Sequence, residues 1–178
     1  MRFVLIDRIQ EIVPGQSLTA VKNLSLAEEY LADHFPGFPV MPGVLMLEAM
    51  TQSAAWLVRS TEDFKHSTIL LKSAKMIKYG SFVEPGRQLT LHVEVAGPMT
   101  DPLNIPMKGK GVIDGQVMVQ GKFSLICTNL RDRDPQLAST DAALVEHLRE
   151  LYSTLVMGSV ASKARMKAAE DIAAAAKV

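Results

Sequence analysis

A single cysteine, Cys127, stands among the 178 residues, so no disulfide can form within the chain. It sits in an apolar run with Phe123, Leu125 and Ile126 and lacks the cationic neighbours that activate thiols. Its simplest reading is a buried, inert side chain. No sign of charge is in excess, since Lys+Arg and Asp+Glu both number 19 and the formal net charge is zero. A global basic field that would attract nucleic acid is therefore excluded, and any charged partner must be read by a local patch. Long hydrophobic runs are missing too. The longest uncharged stretches, 35–47 and 151–162, fall short of the roughly 18 residues a membrane span needs. Asp7 comes too soon for the apolar core of a signal peptide. These absences lead to the expectation of a cytoplasmic protein with no membrane segment. What is present, 48% hydrophobic and 21% charged residues, is globular usage and argues against wholesale disorder.

Periodicity supplies the organisation. A Val13-Pro14-Gly15 turn precedes a strand near 17–24, where Leu18, Ala20 and Val21 mark the apolar positions. Phe3–Ile6 reads as a short strand or turn. Residues 33–43 hold three prolines and two glycines and read as an irregular loop, followed by a helix over 42–59. Strands are expected at 68–71, 74–79, 88–95, 108–113 and 116–126, with Asp114-Gly115 as a hairpin turn between the last two. Leu89, Leu91, Val93 and Val95 alternate with Thr90, His92 and Glu94, the pattern of a half-buried antiparallel strand. One apolar helix followed by hairpin-linked strands implies an α+β fold, an antiparallel sheet wrapped around a long central helix. From Arg131 the composition changes. A linker, RDRDPQ, leads into a helical extension capped by Ser139 or Thr140, with Leu144, Leu148, Leu151 and Leu155 forming a stripe. The division is a domain over 1–130 and a helical C-terminal extension over 131–178, whose last residues, 163–178, are rich in alanine and have little to bury.

The helix over 44–58, VLMLEAMTQSAAWLV, is apolar all round, and Glu48 is its only charge before Arg59. A carboxylate in that setting is expensive to desolvate unless it is paired or used. Gln52, four residues on, shares its face and can hydrogen-bond it. Val40 and Met41 offer no capping side chain, so the amides of Gly43 and Val44 at the helix start are left for a bound water or for developing negative charge. Glycine at 43 lets an oxygen approach the backbone closely. His34 lies nine residues earlier, whereas His66, His92 and His147 read as solvated groups. An imidazole, a carboxylate in apolar surroundings and uncapped amides can together remove a proton beside a carbonyl, stabilise the enolate and protonate a leaving group.

The segment HFPGFPVMPGVLMLEAMTQ, residues 34–52, closely resembles the signature of the FabZ-type 3-hydroxyacyl-(acyl-carrier-protein) dehydratases of the FabA/FabZ-like family, which have the hot-dog fold. Glu48 points to the FabZ side, because FabA-type dehydratase–isomerases have an aspartate there. Weaker similarity runs through KYGSFVEPGRQL, residues 78–89, and the resemblance spans roughly residues 3–127.

The resemblance implies dehydration of (3R)-3-hydroxyacyl chains on acyl carrier protein to the trans-2-enoyl product, in fatty acid or related acyl-chain biosynthesis. It implies His34 as the base at C2 and Glu48 as the acid at the C3 hydroxyl. The Gly43 amide would polarise the thioester carbonyl, Gln52 would orient the acid, and Phe35, Val44 and Met46 would line the acyl tunnel. It further implies a homodimer or a hexamer built as a trimer of dimers, with the histidine and glutamate of one site drawn from two subunits. Docking of the acidic carrier protein is expected at Lys72, Lys75, Lys78 and Arg87. No cofactor and no metal are implied, since the histidines show no ligand spacing. The helical extension has no counterpart in the family pattern, and the proline-rich 96–107 stretch also departs from it. The competing readings are a hot-dog acyl thioesterase and a catalytically silent acyl-binding or scaffold subunit.

Overall fold

The computed structural model describes residues 4–157. Six strands form one antiparallel sheet: β1 (Arg8–Val13), β2 (Ser17–Asn23), β3 (Thr68–Tyr79), β4 (Gln88–Val95), β5 (Ile105–Ile113) and β6 (Gln116–Thr128). Their order is β1-β2-β4-β5-β6-β3, so β1 and β3 are the edges. The helix α1 (Gly43–Thr61) lies against one face of this sheet, and a second helix, α2 (Ala138–Val156), follows the last strand. The expected sheet around a central helix is observed.

Alternation decides which sheet face is inside. Leu89, Leu91 and Val93 of β4 are buried, as are Leu18 and Ala20 of β2 and Met107 of β5. They meet Met46, Ala49, Met50, Ala54, Leu57 and Val58 of α1. A side chain at Gly109 would lie 3.1 Å from the Met50 sulfur, so the helix crosses β5 where there is no Cβ to hold it away. The hairpin at Asp114-Gly115 has positive φ at both residues, 49° and 83°. That is the backbone of a two-residue primed turn, which favours glycine at the second position.

Three sequence expectations are corrected here. The stretch 8–13 forms a strand, whereas the sequence pointed to a short strand or turn at Phe3–Ile6. The register slips between Ile9 and Glu11, so the apolar residues Ile9 and Ile12 stand three apart and the period-2 signal is lost. The two strands expected at 68–71 and 74–79 are one, β3, with irregularities after Leu71 and after Lys75. Neither Ser139 nor Thr140 caps α2. Leu137 occupies the N-cap position without a side-chain bond, and the buried Asp141 in the first turn instead accepts the Leu130 amide at 2.9 Å.

The leucine stripe of α2 packs on the same domain. Leu155 is buried, and Leu148, Leu151 and Val156 pack against the core. The Tyr152 ring lies 6.0 Å from Trp56 and 5.5 Å from Phe64, so α2 covers the C-terminal end of α1. Asp63 and Phe64 have positive φ, and Arg149 holds both: it donates to the Asp63 carboxylate and carbonyl and lies 4.6 Å over the Phe64 ring. The expectation for 163–178 falls outside the described residues. No helix of the described residues is long and apolar enough to cross a membrane.

Candidate active site

The loop 34–40 closes on itself. The Val40 amide donates to the His34 carbonyl at 3.0 Å, and the Phe35 and Phe38 backbones exchange bonds of 3.2 and 3.0 Å. The His34 side chain is held within this loop, its Nδ1 lying 2.9 Å from the Val40 carbonyl oxygen. A carbonyl can only accept, so Nδ1 carries the proton. In the neutral ring Nε2 is then the basic nitrogen. The Phe35 ring stacks on the imidazole at 4.1 Å, and the His34–Phe35 peptide bond is cis.

The loop feeds α1 through Met41, whose amide donates to the Val83 carbonyl, and Pro42, which occupies the N-cap position. Among the described residues no side chain caps this end, as the sequence suggested. The Leu45 and Met46 amides turn back to the Pro42 carbonyl, which leaves those of Gly43 and Val44 as the exposed donors of the first turn. Tyr79, at the end of β3, lies against Gly43. A Cβ added there would stand 3.1 Å from the nearest ring atom. Val44 points to solvent, 68% exposed.

One turn into α1, Glu48 is half-buried and its Oε1 accepts from Gln52 Nε2 at 3.0 Å. The other end of that amide is also fixed, because Gln52 Oε1 accepts the Leu5 amide at 2.9 Å. The Leu5 N–H demands the oxygen and so aims the NH₂ group at Glu48. With Oε1 occupied as an acceptor, Oε2 is the atom that carries a proton when Glu48 acts as an acid.

His34, Gly43, Glu48 and Gln52 thus stand on one continuous loop-and-helix segment. Of the expected wall residues, Phe35 and Val44 are exposed and Met46 is buried in the core. The four expected docking cations separate. Lys72 donates to the Leu103 carbonyl and Arg87 pairs with Asp114 at 2.7 Å, whereas Lys75 and Lys78 stand in register with Lys122 and Gln120 on the outer sheet face. Sequence reasoning missed Tyr79, the Leu5 amide and the Val40 carbonyl. Tyr79 lay in a quoted segment, but nothing in the pattern pairs it with Gly43.

The other histidines are not all solvated. His66 is buried, with Nε2 3.3 Å from the Glu62 carboxylate, and His92 is half-buried and bonded to Thr19, whereas the side chain of His147 is 41% exposed. Burial pushes the Cys127 thiol up to about 12, as suits an inert core residue.

A family model described as a FabA-like domain matches residues 1–122. The chain belongs to the FabA-like family. Curated relatives of this FabA-like chain are named 3-hydroxyacyl-(acyl-carrier-protein) dehydratase FabZ. The one from Oceanobacillus iheyensis is 39% identical over 124 residues, 68% of this chain and 86% of the relative. That from Myxococcus xanthus is 37% identical over 143 residues, covering 79% and 90%. A third, from Levilactobacillus brevis, is 42% identical over 92 residues, 52% of this chain and 62% of its own length. Among solved structures, the dehydratase heterocomplex ApeI:P from Xenorhabdus doucetiae aligns with a TM-score of 0.61 at 14% identity, over 76% of this chain and 90% of that one. Protein PH1136 from Pyrococcus horikoshii aligns at 0.54 with 14% identity, over 69% and 83%. These likenesses establish the hot-dog fold for the FabA-like domain.

Proposed function

We propose that this FabA-like chain is a cytoplasmic hydro-lyase that removes water from (3R)-3-hydroxyacyl chains carried on acyl carrier protein, giving the trans-2-enoyl thioester in fatty acid or related acyl-chain biosynthesis. The observation that carries this reading is the bond between His34 Nδ1 and the Val40 carbonyl, which leaves Nε2 as a base. Nε2 takes the proton from C2, and the electron pair moves onto the thioester oxygen. The Gly43 amide, aided by the positive end of α1, stabilises that enolate oxygen. As the enolate collapses to the C2=C3 double bond, the C3–O bond breaks and Glu48 Oε2 delivers a proton to the departing oxygen, which leaves as water. Proton exchange with solvent then restores neutral His34 and protonated Glu48. Gln52 acts on the reaction by fixing which oxygen of Glu48 is free. Phe35 and Val44 line the path of the acyl chain.

The unit is a homodimer, alone or within a hexamer, joined along the edge strand β3, and His34 and Glu48 of one site come from two subunits. Exposed Leu70, Met76 and Tyr79 on that strand and Val44 at the start of α1 support this. The carrier docks beside β3 through Lys75 and Lys78, with Lys72 and Arg87 at the margins in their internal bonds. The test is incubation with 3-hydroxyacyl carrier proteins of several chain lengths, followed by mass analysis of the carrier. Loss of one water with the acyl group still attached supports the reading. Free carrier thiol and released acid would instead identify a thioesterase, and unaltered substrate at every length a silent acyl-binding subunit.

A further inference from the structure

The outer face of the sheet, away from α1, carries a charge distribution of which the proposed carrier docking uses only Lys75 and Lys78, at the β3 edge. In-register pairing lays two rows of side chains across five strands. One row is Thr19, His92, Lys110, Gln120 and Lys78, and the other is Ser17, Glu94, Lys108, Lys122 and Lys75. Between them runs a third row, Leu18, Val93, Gly109 and Gly121, whose buried side chains or inward-facing Cα positions leave backbone as a floor over β2, β4, β5 and β6, and the exposed Met76 of β3 stands at the basic end. The result is a trench of about 540 Å³. Four strand spacings make it roughly 19 Å long, and the two-residue repeat makes it about 7 Å wide.

Its charge is polar from end to end. Acidic groups stand at the β1–β4 end, where Glu11 pairs with Thr19 in the register and Glu94 follows. Five lysines crowd the β5–β6–β3 end. Lys108, Lys122 and Lys75 stand directly opposite one another on neighbouring strands, an arrangement that like charges disfavour. Glu94 offsets Lys108 at 2.8 Å, and among the described residues no other carboxylate lines the trench. A chain with no net charge thus concentrates ammonium groups around one recess, with hydroxyl and amide groups from Ser17, Thr19 and Gln120 along the walls.

We propose that this trench is a binding site for an elongated small molecule bearing two or more phosphate groups. Its phosphates lie over Lys108, Lys110, Lys122 and Lys78, where they relieve the lysine repulsion, and its uncharged part extends toward Thr19 and His92. The trench width favours a small ligand over an acidic protein helix, which needs about 10–12 Å. His92 supplies a reporter at the far end. Partial burial and the Lys110 charge hold its imidazole below the ordinary range against the pull of Glu11, so a phosphate on Lys110 shifts its titration upward.

The test titrates the full chain with inorganic tripolyphosphate and, separately, with ADP, at low and at physiological ionic strength, by calorimetry. Binding is saturable with one site, and His92 titrates at higher pH in the complex by NMR. The double variant Lys108→Gln/Lys122→Gln weakens binding about tenfold or more. The variant Lys65→Gln/Arg133→Gln, with the same change of net charge elsewhere, keeps it. Tighter binding of ADP identifies a nucleotide, and equal binding a ligand read by its phosphates alone; either supports the site. Three results overturn it: no saturable binding of either probe, equal weakening in both double variants, or a Lys108→Gln/Lys122→Gln chain that binds phosphates normally but has a raised KM for carrier-bound substrate. The last would extend the carrier-docking surface from Lys75 and Lys78 across the trench.

Discussion

Substituting Gly43→Ala separates stability from catalysis at the start of α1. The position has no positive φ, so alanine meets no backbone strain, and in a helix it gains at most about 1 kcal/mol over glycine. Against this, the new Cβ would stand 3.1 Å from Tyr79 Cε1 and 3.3 Å from Cδ1 and Cζ, closer than ordinary contact. The atoms met belong to a side chain rather than to backbone, so the ring retreats by a few tenths of an ångström by a small torsional shift. The two effects offset, and the melting temperature moves by no more than about 2–4 °C in either direction. Turnover behaves differently. If the Gly43 amide binds the enolate oxygen, a methyl group beside it keeps that oxygen from its hydrogen bond, and kcat falls on the order of 10²–10³-fold, about 2.7–4 kcal/mol. Thermal unfolding followed by circular dichroism, and enoyl formation followed by ultraviolet absorbance, measure the two quantities on one preparation. A Gly43→Ala protein with native melting and native kcat would refute the role given to this amide.

Three further outcomes follow from the same geometry. His34→Ala and Glu48→Ala should each abolish most turnover, with the double variant little worse than either, because the two groups act as one unit; mixing the two single variants after subunit exchange should restore part of the rate, and no recovery would count against shared sites. Leu155→Ala should lower stability by about 2–4 kcal/mol in denaturant unfolding, since it removes a buried side chain joining α2 to the core, while kcat is unchanged; a neutral result would mean α2 is not part of the folded unit. Cys127 should resist thiol reagents at pH 8 until the chain unfolds. Its folded-state pKa lies above the unfolded value, so its stabilising contribution is whole below about pH 8.5 and fades as pH rises toward about 12. A Cys127→Ala variant should therefore lose less stability than the native chain between pH 8 and pH 10.

The helix bearing Glu48 was legible as a long apolar run opening after Pro42, and the strand over 88–95 because it keeps one period along its length. The strand over 8–13 was not, because a bulge places Ile9 and Ile12 out of phase. His66 looked like a solvated loop residue among Lys65 and Ser67, and its burial beside Glu62 depends on where the chain returns. The site motif was readable because His34, Gly43, Glu48 and Gln52 are close in sequence. What holds them was not, since Leu5 and Tyr79 arrive from distant segments. The lysine rows are the clearest case. Lys108 and Lys110 alternate visibly with glycine, but only the pairing of β5 with β6, and of β6 with β3, sets Lys122 and Lys75 beside them.

Glu48 carries the proposed chemistry most directly, and Glu48→Gln is the substitution that isolates it. The amide keeps the length and shape of the side chain and can still accept from Gln52, but it has no proton to transfer. The decisive measurement is kcat of Glu48→Gln on a (3R)-3-hydroxyacyl carrier protein, beside its melting temperature. General acid catalysis by Glu48 predicts a loss of about 10²–10⁴-fold in kcat with melting unchanged. Native turnover in a natively folded Glu48→Gln chain would contradict it and leave the carboxylate as no more than a partner for Gln52.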